Sequence, residues 1–399
     1  MTEALSILMI YELGPTDFGH WIGGVESHIY YLCKHLIEKG HHVTFLTGSI
    51  PKNKNQLMME GLNVVRASLG GLIRRTWDPY NLSFTRQLLF PIPAVQRALN
   101  LRTNFDIIHG HVYTSSLAAT LVGTIRGSGK ISTIHGSYYD VWHQIRKNRL
   151  KATLYKTTER VLAPFVTNFC DLQIHTDRAH AEKLLRWGAP KHKIHVIENG
   201  VDINEFNPKK VKKPILISDR PIIMVVRRLV PKNGIEYLLR AAPTIHRETN
   251  ARFVVVGDGP ERHNLEKLTS KLGISQETTF VGGVPHSDIP KYLAVADIVV
   301  VPSLAEATSI AMMEAMAMEK PVVASDIPGL QEISDYGKFA ELVPPGDFKS
   351  IAKAVIALLS DDQHRKRLSR TARALVVKTK SWESVAKRTL NLYRSVLHQ

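Results

Sequence analysis

The stretch Glu306-Ala-Thr-Ser-Ile-Ala-Met-Met-Glu314 holds two carboxylates eight residues apart in an otherwise apolar run. Burying them costs free energy unless each finds a partner. On a helix, eight residues span about 12 Å. A retaining glycosidase pair needs about 5–5.5 Å and an inverting pair about 6.5–9.5 Å, so the two act separately. Glu314 is placed to accept from ligand hydroxyls, and Glu306 to face a reacting group. The helix start at Ser309 and Ile310 offers backbone N–H groups to a phosphate.

Arg227-Arg-Leu-Val-Pro-Lys-Asn-Gly234 puts three cations on a strand-to-helix loop, a geometry that suits a diphosphate. Gly23-Gly-Val-Glu26 precedes the first helix, where paired glycines let backbone approach a ligand. Other motifs are weaker. Gly127-Ser-Gly-Lys130 lacks the hydroxyl residue and the following helix of a phosphate loop, and reads as a turn. Gly257-Asp-Gly259 lacks the third glycine of a dinucleotide fingerprint and reads as a tight strand-to-helix turn. His109 and His111 share a strand face but have no third ligand nearby, so no metal site is expected.

The elements that must hold these residues follow from the apolar pattern. Short β-branched runs such as Ser6–Ile10, Val43–Thr47 and Ile131–Ile134 alternate with amphipathic stretches such as Glu26–Lys39. This predicts a mostly parallel sheet covered by helices on both faces. The pattern pauses at the basic, Pro-bounded segment 207–214 and restarts at Pro221–Val226. Helices over 348–359, 362–378 and 382–397 close the chain. The fold class is therefore α/β, with two doubly wound, Rossmann-like parallel-sheet domains whose ligand lies at the carboxyl ends of strands, in the cleft between facing domains.

The composition excludes other classes. The chain of 399 residues is 44% hydrophobic and 22% charged, ordinary globular values. Two cysteines, Cys33 and Cys170, rule out a disulfide framework and fit a reducing compartment. No signal peptide or membrane span is expected, since Pro302, Glu306 and Glu314 interrupt the most apolar region.

Taken together, Gly23–Glu26, Ser132-Thr-Ile-His135, Ile197-Glu-Asn-Gly-Val-Asp202, the Arg228–Gly234 loop, Val256-Gly-Asp-Gly-Pro260 and the Glu306/Glu314 pair resemble the retaining glycosyltransferases of family four. The helix from Gly23 to Leu32 is similar to that of phosphatidylinositol N-acetylglucosaminyltransferase catalytic subunits. The resemblance implies a GT-B architecture, with residues 1–205 on the acceptor side, 215–380 binding the nucleotide sugar, and about 381–399 packing back on the first domain. It implies that Arg228 and Lys232 hold the donor diphosphate, that Glu314 binds ribose hydroxyls, and that Glu306 and His135 contact the donor sugar. Gly23 and Gly24 would approach the diphosphate. The family places its lysine where this chain has Asn233, one residue after Lys232, and a glycine where it has Ala307.

The implied reaction is retaining, metal-independent transfer of a sugar from a UDP- or GDP-linked donor to an acceptor hydroxyl, with no cofactor. A sugar-nucleotide epimerase on the same fold and a non-catalytic RNA- or anion-binding protein are the alternatives. The charge bears on the last. The chain has 52 basic and 36 acidic side chains, a net +16. Residues 201–360 are balanced at 19 each, whereas 51–160 hold 16 basic and 5 acidic, and 361–399 hold 10 and 3. The basic blocks interleave with apolar and aromatic residues, as in Arg74-Arg-Thr-Trp77 and Arg146-Lys-Asn-Arg149. That mixture fits an anionic membrane surface and a lipid-linked acceptor rather than nucleic acid. The expected location is cytoplasmic, peripheral on the inner face of the membrane.

Overall fold

A computed structural model describes residues 3–12, 24–48, 59–67, 89–136, 139, 149–211 and 218–398. Gly23, the Arg74–Trp77 cluster and most of the 140–149 cluster lie outside them. The chain forms two compact units, Met1–Glu198 with Trp382–Gln399, and Asn199–Ser381.

In the first unit the order is β1 (Ser6–Tyr11), α1 (Gly24–Glu38), β2 (His42–Gly48), β3 (Leu62–Ala67), α2 (Pro91–Leu99), β4 (Ile107–His111), α3 (Val112–Arg126), β5 (Gly129–Ile134), α4 (Arg149–Phe169), β6 (Leu172–His175), α5 (Arg178–Arg186) and β7 (Ile194–Val196). The strands form one parallel sheet in the order β3-β2-β1-β4-β5-β6-β7. The direction of winding reverses between β1 and β4, the switch point at which such sheets bind ligands. Leu8, Ile10 and Ile108 form the core under α2 and α3.

The second unit runs β8 (Ile222–Val226), α6 (Ile235–Thr249), β9 (Arg252–Val256), α7 (Arg262–Lys271), β10 (Thr278–Gly282), α8 (Ile289–Val295), β11 (Ile298–Val301), α9 (Ile310–Ala317), β12 (Val322–Ser325), α10 (Pro328–Ile333), β13 (Glu341–Val343), α11 (Phe348–Ser360) and α12 (Asp362–Thr379). Its parallel sheet has the order β10-β9-β8-β11-β12-β13, so its switch point lies between β8 and β11. The run Ile298-Val-Val-Val301 is buried on both faces, which explains its unbroken apolarity. A last helix, α13 (Trp382–Leu397), belongs to the first unit and packs on α1.

The boundary falls earlier than the composition suggests. Residues 199–206 join the second unit because Phe206 is fully buried and Val201 pairs with Ser381, its N–H donating to Lys380 at 2.8 Å. The basic segment marks no boundary, and Pro208–Lys210 is a single 3-10 turn inside that unit.

Candidate active site

Each unit gathers polar side chains at the carboxyl ends of its switch-point strands. In the second unit, Arg227 directly follows β8, and Ser303 and Glu306 follow β11. The Arg227 guanidinium donates to Ser309 Oγ at 2.8 Å and Asn233 Oδ1 at 3.1 Å, and it is ion-paired with Glu306. Ser303 Oγ donates to the same carboxylate at 3.4 Å. Burial pushes the Glu306 carboxyl upward, but Arg227 and Lys232 outweigh it and hold the group below its ordinary range. Glu306 is thus a buried, ionised acceptor.

Local backbone explains why these groups meet. Gly234 takes φ +64°, and a Cβ there would lie 2.0 Å from the Pro302 carbonyl, so only glycine lets the two loops touch. The Lys232 carbonyl accepts from Leu304 N–H at 2.8 Å, tying the loops together. Gly257 and Gly259 press on the backbone of Arg227 and Leu229, with Arg227 N–H donating to Val256 at 2.9 Å. The Gly-Asp-Gly turn therefore buttresses the cation loop.

Ser309 caps α9 by accepting from Met312 N–H at 3.3 Å, and Ile310 is the first helical residue. On the same helix Glu314 accepts from His286 Nε2 at 2.7 Å, and His286 Nδ1 stands 3.8 Å from Glu205. Burial opposes charge on His286, but Glu314 and Glu205 raise its pKa above the ordinary value. Glu306 and Glu314 thus have different partners, as their spacing implies. Asn233 is buried and donates to the Arg228 carbonyl at 2.7 Å, holding the backbone of the cation loop. Of the three cations on this loop, the family pattern singles out Arg228 and Lys232 as ligand holders and gives no role to Arg227, the one that binds Glu306. His286 is also absent from the sequence-derived set, because no spacing motif ties it to Glu314.

In the first unit Gly24 opens α1 and Glu26 is buried in its first turn. Glu12, at the end of β1, accepts from Thr114 and Ser115 hydroxyls, each at 3.1 Å. His135 follows β5 and meets His111, with Nδ1 of His111 3.1 Å from Nε2 of His135. The His28 ring lies 4.6 Å from His135, and His109 stacks on His111 at 4.4 Å. His109 Nδ1 reaches the Tyr393 hydroxyl on α13 at 2.6 Å, and its Nε2 meets Thr133 Oγ1 at 2.7 Å. Burial and neighbouring rings push His109 down to about 3 and His111 and His135 well below the usual value. These are neutral imidazoles.

The fold thus supplies what the sequence lacked, since ligating nitrogens of His28, His111 and His135 lie within 4.8 Å of one another. Ring nitrogens His111 Nε2 and His135 Nδ1 have no hydrogen-bond partner among the described residues. A metal bound through the facing nitrogens would leave both as buried N–H groups with no acceptor among the described residues, whereas metal-bound histidines normally anchor that N–H. The donor set fits a neutral hydrogen-bonded cluster better than a metal.

Both units have counterparts among known proteins. The family described as Glycosyltransferase Family 4 matches residues 22–205, and that described as Glycosyl transferases group 1 matches 206–375. The chain belongs to the family-four glycosyltransferases. A glycosyltransferase of Methanocaldococcus jannaschii is 29% identical over 94% of each chain. A phosphatidylinositol N-acetylglucosaminyltransferase subunit from Arabidopsis thaliana is 28% identical over 98% of this chain and 82% of its own. Among solved structures, sucrose-phosphate synthase of Thermosynechococcus elongatus superposes with a TM-score of 0.84 at 24% identity, covering 98% of this chain and 99% of its own. Anabaena HepE in complex with UDP and glucose gives 0.77 at 20% identity, over 98% and 100%. This glycosyltransferase therefore has the GT-B fold, built from two Rossmann-like parallel sheets.

Proposed function

We propose that this glycosyltransferase moves a sugar from a nucleoside-diphosphate donor to a hydroxyl of a lipid-linked acceptor, with retention and without a metal. The observation that carries the reading is the Arg227–Glu306–Ser309 cluster between a cation loop and a helix N-terminus. The donor diphosphate lies against Arg228, Lys232 and the first turn of α9. These fixed positive groups meet the charge that develops as the anomeric C–O bond breaks. The acceptor oxygen forms its bond on the same face, and its proton passes to the departing phosphate oxygen. Glu306, kept ionised by Arg227, accepts from a donor-sugar hydroxyl, and Glu314 from the ribose. Gly23, Gly24 and His135 serve the donor from the first unit, which also receives the acceptor. The nucleotide in the HepE complex and the lipid-linked names of the phosphatidylinositol relatives support the two substrate classes.

The test is transfer from UDP- and GDP-sugars to a detergent-solubilised glycolipid or phosphatidylinositol acceptor, with the product anomer read by NMR. Arg228→Ala should lower kcat about 10²–10³-fold while the thermal midpoint stays. Full activity in Arg228→Ala, or an inverted anomer, overturns the reading. Epimerised donor formed without acceptor would identify the epimerase instead.

A further inference from the structure

Among the described residues of the first unit, most of the exposed large apolar side chains lie on α2, α3 and α4. α2 packs on α3 and α3 on α4, so the three form one layer over the sheet. In a parallel sheet, helices that return between successive strands run the same way. The C-terminal ends of α3 and α4 therefore lie side by side. Leu121 and Ile125 on α3, and Leu150, Val161, Phe165 and Phe169 on α4, are solvent-exposed, from 44% for Phe165 to 83% for Leu150. Their spacing along α4 keeps them on one outward stripe, while Ala152, Ala163 and Val166 face the core. The Phe165 and Phe169 rings touch at 4.6 Å. An exposed apolar stripe of this extent marks a docking surface.

Charge selects the occupant. α3 and α4 contain five basic residues, Arg126, Arg149, Lys151, Lys156 and Arg160, and one carboxylate, Glu159. Glu159 is buried, whereas Arg149 and Arg160 are exposed on one flank of α4, the Arg160 guanidinium 4.7 Å from the centre of the Trp187 ring. A second copy of this chain would bring two positive faces together. An anionic bilayer instead takes the apolar side chains into its acyl boundary and meets the arginines with headgroup phosphates. No helix among the described residues is long and apolar enough to cross a membrane, so the contact lies on the surface.

We infer that the outer face of α3 and α4 is the surface through which this enzyme rests on an anionic phospholipid membrane. The inference deepens the lipid-linked reading of the acceptor and rests on it. α4 begins at the carboxyl-end side of the sheet, where His135 lies, and the stripe runs from Leu150 at that end to Phe165 and Phe169 at the opposite one.

The test is flotation with phosphatidylcholine vesicles with and without phosphatidylglycerol, in the absence of donor and acceptor. The full chain should float with the anionic vesicles and not with the neutral ones, and high salt should weaken the association. V161S/F165S should reduce binding tenfold or more, and R149Q/R160Q should reduce it and flatten the salt dependence, with both variants keeping the wild-type fluorescence melt. Binding by V161S/F165S equal to that of the native chain overturns the inference. So does a dimer in sedimentation velocity that this variant dissolves, which would assign the face to a second copy. Because the assay contains no substrate, failure here leaves sugar transfer standing, whereas failed transfer to a detergent-solubilised acceptor removes the catalytic reading and leaves the surface.

Discussion

The two units bury polar groups at equivalent places, the carboxyl ends of switch-point strands, and solve the desolvation problem in opposite ways. The first keeps its groups neutral. His109 bonds to Tyr393 and Thr133, and His111 meets His135, all three rings having shed their extra proton. The second pairs its groups, Arg227 with an ionised Glu306 and His286, whose pKa is raised, with Glu314. A neutral cluster shapes a pocket without attracting anions, whereas paired charges hold a loop in place, here the one that carries Arg228 and Lys232.

Acidification should separate the two units most strongly. A histidine whose folded pKa is depressed contributes stability that is present above its unfolded pKa near 6.5 and lost as pH falls toward the folded value. His109 and His175 are both pushed down to about 3, chiefly by burial. Between pH 7 and pH 5 each withdraws about 2 kcal/mol, so these two alone remove about 4 kcal/mol from the first unit. His286 has the opposite sign, since its raised pKa adds stability below pH 6.5 that is lost as pH rises through the folded value. All five tryptophans, at 21, 77, 142, 187 and 382, belong to the first unit, so their fluorescence reports that unit by itself. Its melting midpoint should drop steeply by pH 5 while circular dichroism retains a later transition. A single pH-independent melt would break the contrast.

Removing one charge from the second unit comes next in size. Arg227→Met leaves Glu306 buried without its main partner and should cost about 3–5 kcal/mol. The circular dichroism transition should fall while the tryptophan melt stays put. In Arg227→Met combined with Glu306→Gln most of the loss should return, and an equal loss in both variants would mean that packing rather than charge is at stake. The smallest effect is expected from Tyr393→Phe, which deletes the 2.6 Å bond to His109. It should lower the tryptophan melt by about 1 kcal/mol, the ordinary worth of a buried hydrogen bond. No change would detach α13 from the histidine cluster.

The second unit is the more legible half of the sequence. Its site residues stand within one loop or one helical turn of a strand end, so Glu306, Ser309 and Asn233 can be located by where the strands stop. The histidines cannot, because His28 comes from the helix after β1, His111 from the end of β4 and His135 from the loop after β5, and they meet only when β1, β4 and β5 are ordered in the sheet. Arg227 is hidden by its neighbour, since adjacent side chains leave the end of a strand in opposite directions and composition does not say which turns inward. The helices α3 and α4 are hard to read for another reason. Their exposed apolar residues blur the polar face that marks a surface helix.

The placement of α13 bears on the order of events at the ribosome. Residues 199–381 form a complete unit inserted into another whose final piece, with Trp382 and Tyr393 buried in it, is synthesised afterwards. Folding during synthesis proceeds from the N-terminus by whole domains. Here the inserted unit can close first, while the unit that began earlier must wait with the seat of Tyr393 unfilled. A nascent chain stopped just before Trp382 would carry a finished second unit and an unfinished first one, a length at which a chaperone has most to hold.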